Sequence, residues 1–284
     1  MNNNIFKDLS DKIFRSGNPI FFYIGVNTII FLLTAFVALF SFLTKSGFPV
    51  FDLVRNYLGL PAVFSLFPER FYTVFTYMFF HDDFFHLFFN MIGLFWFGQI
   101  FMNFLKSRQF HFVFITGGLA GALFFIIGLN IFPVFSGNLQ GVTVIGASGA
   151  VMAIIVATAT LVPNYALYLM FLGEVKIKYL ALAYFILDIL ALGNINAGGS
   201  FAHIGGAVLG FTYIKMLQNG RDWSKLFEKK PKLKVVKNEQ PIKKPTFKGI
   251  SQKEVDEILD KISKSGYDKL TASEKEKLFK ASKD

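Results

Sequence analysis

Gly146-Ala147-Ser148-Gly149, running on into Ala150-Val151-Met152-Ala153-Ile154-Ile155-Val156-Ala157, is the stretch on which the reading of this chain turns. It opens an apolar segment with a serine set between glycines. Downstream, Ala202-His203-Ile204-Gly205-Gly206 opens a second such segment. A hydroxyl and an imidazole are costly in hydrocarbon unless buried and partnered, so an intramembrane ionisable group points to function. A serine and a histidine at one depth suggest a nucleophile and its base. The competing reading is that Gly146, Ala147 and Ser148 are small residues that let helices pack. The two readings converge. Gly149, Ala153 and Ala157 form a small-residue stripe at a spacing of four, and Ala202, Gly206 and Gly210 form another. Such stripes let helix backbones approach closely. Ser148 directly precedes the first stripe and His203 follows the first member of the second, so packing of the two predicts contact between hydroxyl and imidazole.

Composition excludes ordinary soluble domains. The chain of 284 residues is 53% hydrophobic and 17% charged, with 38 phenylalanines, and its mean hydropathy is +0.48. With no cysteine, disulfides, thiol catalysis and thiolate metal sites are excluded. The net charge of +10 raises nucleic acid as a partner. Its distribution argues against that, because from Gln218 onward 18 Lys/Arg stand against 11 Asp/Glu. Basic residues concentrated beside membrane spans record topology.

A span needs roughly 20 apolar residues, and six segments qualify or nearly do: about 20–43, 86–105, 109–129, 147–162, 177–193 and 201–217. The first follows Lys7, Lys12 and Arg15 and is too long for a cleaved signal peptide, so it reads as a retained anchor. Lys106 and Arg108 join the second to the third, Lys176 and Lys178 precede the fifth, and Lys215 follows in the sixth. Loops 130–146 and 194–200 carry no charge. Every basic cluster thus falls on one side, which predicts cytoplasmic N- and C-termini. It also places His86, Ser148 and His203 at similar depth in the outer half. The connection 44–85 is aromatic and proline-containing and suits the interfacial zone. The chain therefore divides into a cytoplasmic segment 1–18, a membrane domain 19–217, a basic linker 218–250 and a C-terminal unit 251–284. The linker holds eight lysines between 228 and 248, consistent with anionic headgroups nearby. Ser251-x-x-Glu254 and Thr271-x-x-Glu274 are capping boxes, and Gly266 is a stop between them, predicting a small helical hairpin exposed to cytoplasm.

His86 and Asn90 lie four apart, on one face at the outer end of the second span. Two donors aimed at one point suit an oxyanion site, supplemented by the Ser148 backbone N–H at a helix start. A metal pair of His86 and His203 is the alternative, but its third ligand would have to come from Asp82 or Asp83 in a loop. Asp188, near the outer end of the fifth span, either completes a triad behind His203 or, as the favoured reading, serves a helix end or the following loop. His81 reads as interfacial and His111 as lying near the cytoplasmic face, both outside the converging set.

These residues resemble the rhomboid family of intramembrane serine proteases over roughly 20–217. The motifs are His86-x-x-x-Asn90, Gly146-Ala147-Ser148-Gly149 and Ala202-His203-x-x-Gly206-x-x-x-Gly210, with Phe75-Thr76-Tyr77-Met78-Phe79-Phe80-His81 before the second span. The resemblance implies an all-α membrane protein: a six-transmembrane-helix bundle, here with a small cytosolic C-terminal hairpin. It implies a Ser148–His203 dyad without an essential acid, an oxyanion site at His86 and Asn90, and support from Gly146 and Gly149. It further implies a serine endopeptidase, without cofactor or metal, cutting single-span or multi-span membrane-protein substrates near their outer ends. The expected location is a cell membrane, specifically a bacterial inner membrane, with the lipid bilayer and not nucleic acid as partner. Two positions depart from the family: Tyr72-Thr73 replaces a Trp-Arg pair, and Met152 stands where an aromatic often packs on the histidine. A catalytically inactive binding or chaperone-like relative is the rival reading. A transporter is the third, but paired broken helices and an inverted repeat are not evident.

Overall fold

The computed structural model describes residues 4–135, 137, 139–169, 173–192, 197–227 and 251–282. Most of the expected linker 218–250 and part of the loop 194–200 lie outside them.

Six long helices occupy the six apolar segments: α1 (Pro19–Thr44), α2 (Phe84–Phe104), α3 (Ser107–Ile131), α4 (Ser148–Leu161), α5 (Ile177–Ala191) and α6 (Ala197–Gln218). Three of them, α1, α2 and α3, are long and apolar enough to cross a membrane by length and composition. Their starts follow local chemistry. The Asn18 side chain accepts from the Ile20 N–H at 2.9 Å ahead of Pro19 at the first turn, and Asp83 caps α2 through the His86 N–H at 2.9 Å. These contacts satisfy donors that every helix start leaves open.

Helix α4 is the centre of the bundle. Ten of its 14 residues are buried, and it packs against α2, α3 and α6. The outer helices instead turn large apolar groups outward, as Phe36, Phe42 and Leu43 of α1 and Leu187 and Leu190 of α5 do. A bundle with a small-residue interior and an apolar exterior is built for lipid rather than water.

The two sequence stripes meet as their spacing predicts. A Cβ on Gly206 would strike the carbonyl oxygen of Gly149, and one on Gly210 that of Ala153. Helix α3 adds a third glycine face that the sequence reading did not weigh: a Cβ on Gly121 would lie 2.9 Å from the Ala202 oxygen. The carbonyl preceding His203 therefore sits in a notch between α3 and α4. The phenol of Tyr77 fills the same notch, donating to the Gly118 carbonyl at 2.6 Å.

Two loops are tied together beside α4. The pair β1 (Leu60–Pro61) and β2 (Thr143–Val144) is antiparallel, and Asn130 Nδ2 donates to the Ala62 carbonyl at 2.8 Å. A second antiparallel pair, β3 (Ala166–Leu169) with β4 (Gly173–Lys176), precedes α5.

The chain divides into units Met1–Glu228 and Lys229–Asp284, so packing continues past the expected boundary at 217. The reason is Asp222: its Oδ1 accepts from Tyr213 at 3.1 Å and from the Ser224 hydroxyl at 2.6 Å, and its Oδ2 from Arg108 at 3.2 Å. In the second unit, α7 (Gln252–Ser265) and α8 (Ala272–Ala281) start on the two capping boxes, with Gly266 at φ +83° ending α7. Each capping glutamate also pairs across to the other helix, Glu254 with Lys277 at 2.9 Å and Glu274 with Lys261 at 2.7 Å. Hydrogen bonds from Lys261 and Thr271 hold the Glu274 carboxyl down to about 2.

Gly206→Val should destabilise the bundle by about 1–3 kcal/mol or more, since the obstacle is backbone. Val208→Leu, at a lipid-facing position of the same helix, should stay within about 0.5 kcal/mol of the parent. Unfolding in mixed micelles measures both, and equal stability of the two variants would contradict this packing.

Candidate active site

Ser148 is the first residue of α4, and its side chain makes no capping bond. Its N–H is thus one of the helix-start donors without an intrahelical partner, at the positive end of the helix dipole. The turn before it is tightly held. Gly146 has φ +130°, a conformation that disfavours any Cβ, and a Cβ there would lie 2.7 Å from His86 Nε2 and 3.6 Å from Ser148 Oγ. One point thus lies close to both the His86 ring and the Ser148 hydroxyl. The Gly146 N–H donates to the Tyr77 carbonyl at 2.9 Å, and the Ala147 N–H to His81 Nε2 at 3.4 Å. Gly149 follows inside the α4–α6 contact.

His203 lies in the second turn of α6, one residue after the carbonyl held between Gly121 and Gly149. Its Nδ1–H donates to Asp188 Oδ1 at 2.7 Å; a carboxylate only accepts, which assigns the proton to Nδ1. The expected role of Asp188 at a helix end or loop is therefore corrected, because its side chain bonds His203. The ring of His203 meets Tyr184 at 6.0 Å between centroids. The aromatic neighbour comes from α5 instead of from the position occupied by Met152, which is fully buried in α4 and also lines the cavity described below.

His86 and Asn90 project from the first turns of α2. The Asn90 amide donates to the His86 carbonyl at 2.8 Å, so one of its two N–H groups is engaged within the helix. His86 stacks edge-on with His81 at 5.0 Å. The acidic residues that a metal at His86 and His203 would require are already engaged: Asp82 accepts from Arg55 Nε at 2.7 Å and Nη2 at 2.6 Å, and Asp83 caps α2. The Arg55–Asp82 fork, with Arg70 over Tyr57 at 5.4 Å, anchors the 44–85 connection that carries Tyr72-Thr73. Thr73 itself is fully buried.

Ser148, His203, His86, Asn90, Asp82 and Tyr184 open onto one cavity of about 1070 Å³. Its remaining wall is largely apolar, with Trp96, Phe97, Ile155 and Leu180. The sequence-predicted set is thus brought together. His81 is corrected in one respect: it is 3% exposed, lies against His86 and supports Ala147 from beneath, so it does not stand outside the set. His111 stays outside the set, bonded to the Tyr23 hydroxyl at 3.0 Å. Sequence reasoning also missed Tyr77 and Tyr184. The signal for the second was available, since Tyr184 and Asp188 stand four apart on one helical face.

Comparison with known proteins gives the family. The model of the Rhomboid domain matches residues 68–219, over half of the chain, and the protein belongs to the rhomboid family. "RHOMBOID-like protein 12, mitochondrial" of Arabidopsis thaliana is 36% identical over 162 residues, covering 54% of this chain and 48% of the relative. The chain thus spans about half the length of that curated relative. Residues 247–284 match a family of unknown function, DUF6576.

Burial, and secondarily the neighbouring His86, push the His81 imidazole down to about 3. A group depressed below its unfolded value contributes stability that is present near neutrality and is lost as pH falls from about 6.5 toward 3. His81→Gln should flatten the stability profile across that window. Parallel profiles for the parent and His81→Gln would show that His81 is not held neutral by the fold.

Proposed function

We propose that this chain is an intramembrane serine endopeptidase that hydrolyses peptide bonds in or near transmembrane segments of single-span or multi-span membrane proteins. The observation that carries the reading is the placement of Ser148 and His203 on one cavity by the α4–α6 contact. His203 Nε2, the nitrogen left free when Nδ1 bonds Asp188, takes the proton from Ser148 Oγ as the hydroxyl attacks the scissile carbonyl. The tetrahedral oxyanion is met by the Ser148 N–H, the His86 ring and the second Asn90 N–H, an arrangement in which loss of one donor typically lowers the rate about 10²–10³-fold. The imidazolium then protonates the leaving amine. Water regenerates Ser148 from the acyl-enzyme by the same proton path.

The six helices are read as six spans, with the basic residues and both termini on the cytoplasmic face. The unit from residue 251 lies on that side in this reading. The 14-residue α4 spans only about 21 Å against a hydrocarbon core of about 30 Å. Ser148 therefore lies below the membrane surface, and the β1–β2 loops above it leave a route for water. Irregular backbone at that depth is tolerated where it lines protein or water. Substrate helices must unwind at the cut, because a helical carbonyl is shielded from attack. The host membrane is read as a bacterial inner membrane; the mitochondrial label belongs to the plant relative.

Ser148→Ala should abolish cleavage of a single-span substrate in liposomes while the variant folds normally. Undiminished cleavage by that variant would overturn the mechanism. Absence of cleavage by the parent protein across varied substrates would favour the binding-module reading.

A further inference from the structure

We propose that Asp188 is a positioning residue for His203, an addition in this chain to the Ser148–His203 pair. This inference rests on the protease reading above. It starts from three observations about α5. The Asp188 side chain, 11% exposed, lies four residues beyond Tyr184, and both face His203. Oδ1 accepts the Nδ1–H at 2.7 Å. Among the described residues, Oδ2 is buried and has no hydrogen-bond partner.

A carboxylate in an apolar helix facing lipid is a poor device for stability. Desolvating it is expensive, and a buried ion pair often contributes no more than well-packed apolar residues would. A purely structural Asp would also satisfy both oxygens. Here one oxygen holds an imidazole and the other holds nothing, so the geometry serves the ring. Three consequences follow from a fixed Nδ1–H. The ring is locked in the tautomer that presents Nε2 as base toward the Ser148 side of the cavity. Tyr184 restricts its rotation from the α5 side. The negative charge also stabilises the imidazolium formed when the Ser148 proton arrives, without itself taking a proton. The proton moves from Ser148 Oγ to Nε2 and on to the leaving amine, while Nδ1–H stays throughout. The other titratable groups near His203 are Tyr184 of α5 and His86 of α2.

The test uses the full chain in liposomes with a single-span substrate, comparing parent, Asp188→Asn and Asp188→Glu. Asp188→Asn should lower kcat by about 10²–10⁴-fold, as in soluble triads, with KM little changed, because the carboxylate touches the base and not the substrate. Asp188→Glu should restore part of the rate. A merely structural role would reduce the folded fraction and leave kcat per folded molecule at the parent's value. Parent-like kcat in a folded Asp188→Asn variant would overturn the inference and leave the protease reading intact. A parent that cleaves nothing would overturn both. If Asp188→Asn fails to fold, ¹⁵N-histidine spectra of the parent decide, since the chain has only four histidines: a strongly deshielded Nδ1–H on His203 is expected, and an Nε2–H tautomer would overturn the inference.

Discussion

The structure depends on one close approach, that of the α4 and α6 backbones along Gly149–Gly206 and Ala153–Gly210. In a bilayer there is no hydrophobic gain from pressing helices together, so association relies on dispersion contacts that only small residues permit. Glycines at these positions let the Ala202 carbonyl enter the notch between α3 and α4. Ser148 and His203 are the neighbours of the residues in that contact. Their convergence on one cavity follows from packing, and no separate device is needed to bring them there.

The same constraint explains why the polar groups are so fully engaged. Away from water an orphaned donor or acceptor is expensive, and the turn leading into Ser148 leaves few. Tyr77 takes the Gly146 N–H and gives its hydroxyl to Gly118. His81 takes the Ala147 N–H, and Asp83 caps the helix that carries His86 and Asn90. Among the described residues the buried side-chain atoms without a partner are Asn27 Oδ1 in α1, His81 Nδ1 beneath Ala147 and one Asp188 oxygen beside His203.

Much of this was legible in the sequence. The GxSG and AHxxG motifs, the two stripes and the His86–Asn90 pair all rest on short-range spacing, and spacing within a helix fixes which face a residue occupies. The second unit was equally readable, because Ser251, Thr271 and Gly266 act through bonds only a few residues long. What escaped depends on contacts between distant segments. Tyr77 matters because a loop before α2 packs under α3. Asp188 reads as a helix-end residue because nothing local reveals that α5 presents it to α6. Hydropathy falls at 217, whereas Asp222 binds the next residues back to Arg108 and Tyr213. Met152 stands where an aromatic often packs on the histidine, and the ring that meets His203 comes from another helix.

In the proposed mechanism, packing creates one activated serine within the membrane domain. A fluorophosphonate probe that reacts only with an activated hydroxyl tests it directly, independent of any substrate. Intact-mass and peptide analysis of the labelled protein in bilayers should place a single adduct on Ser148, and His203→Ala should nearly abolish it. Labelling at other hydroxyls, or labelling of Ser148 at an unchanged rate in His203→Ala, would contradict the account.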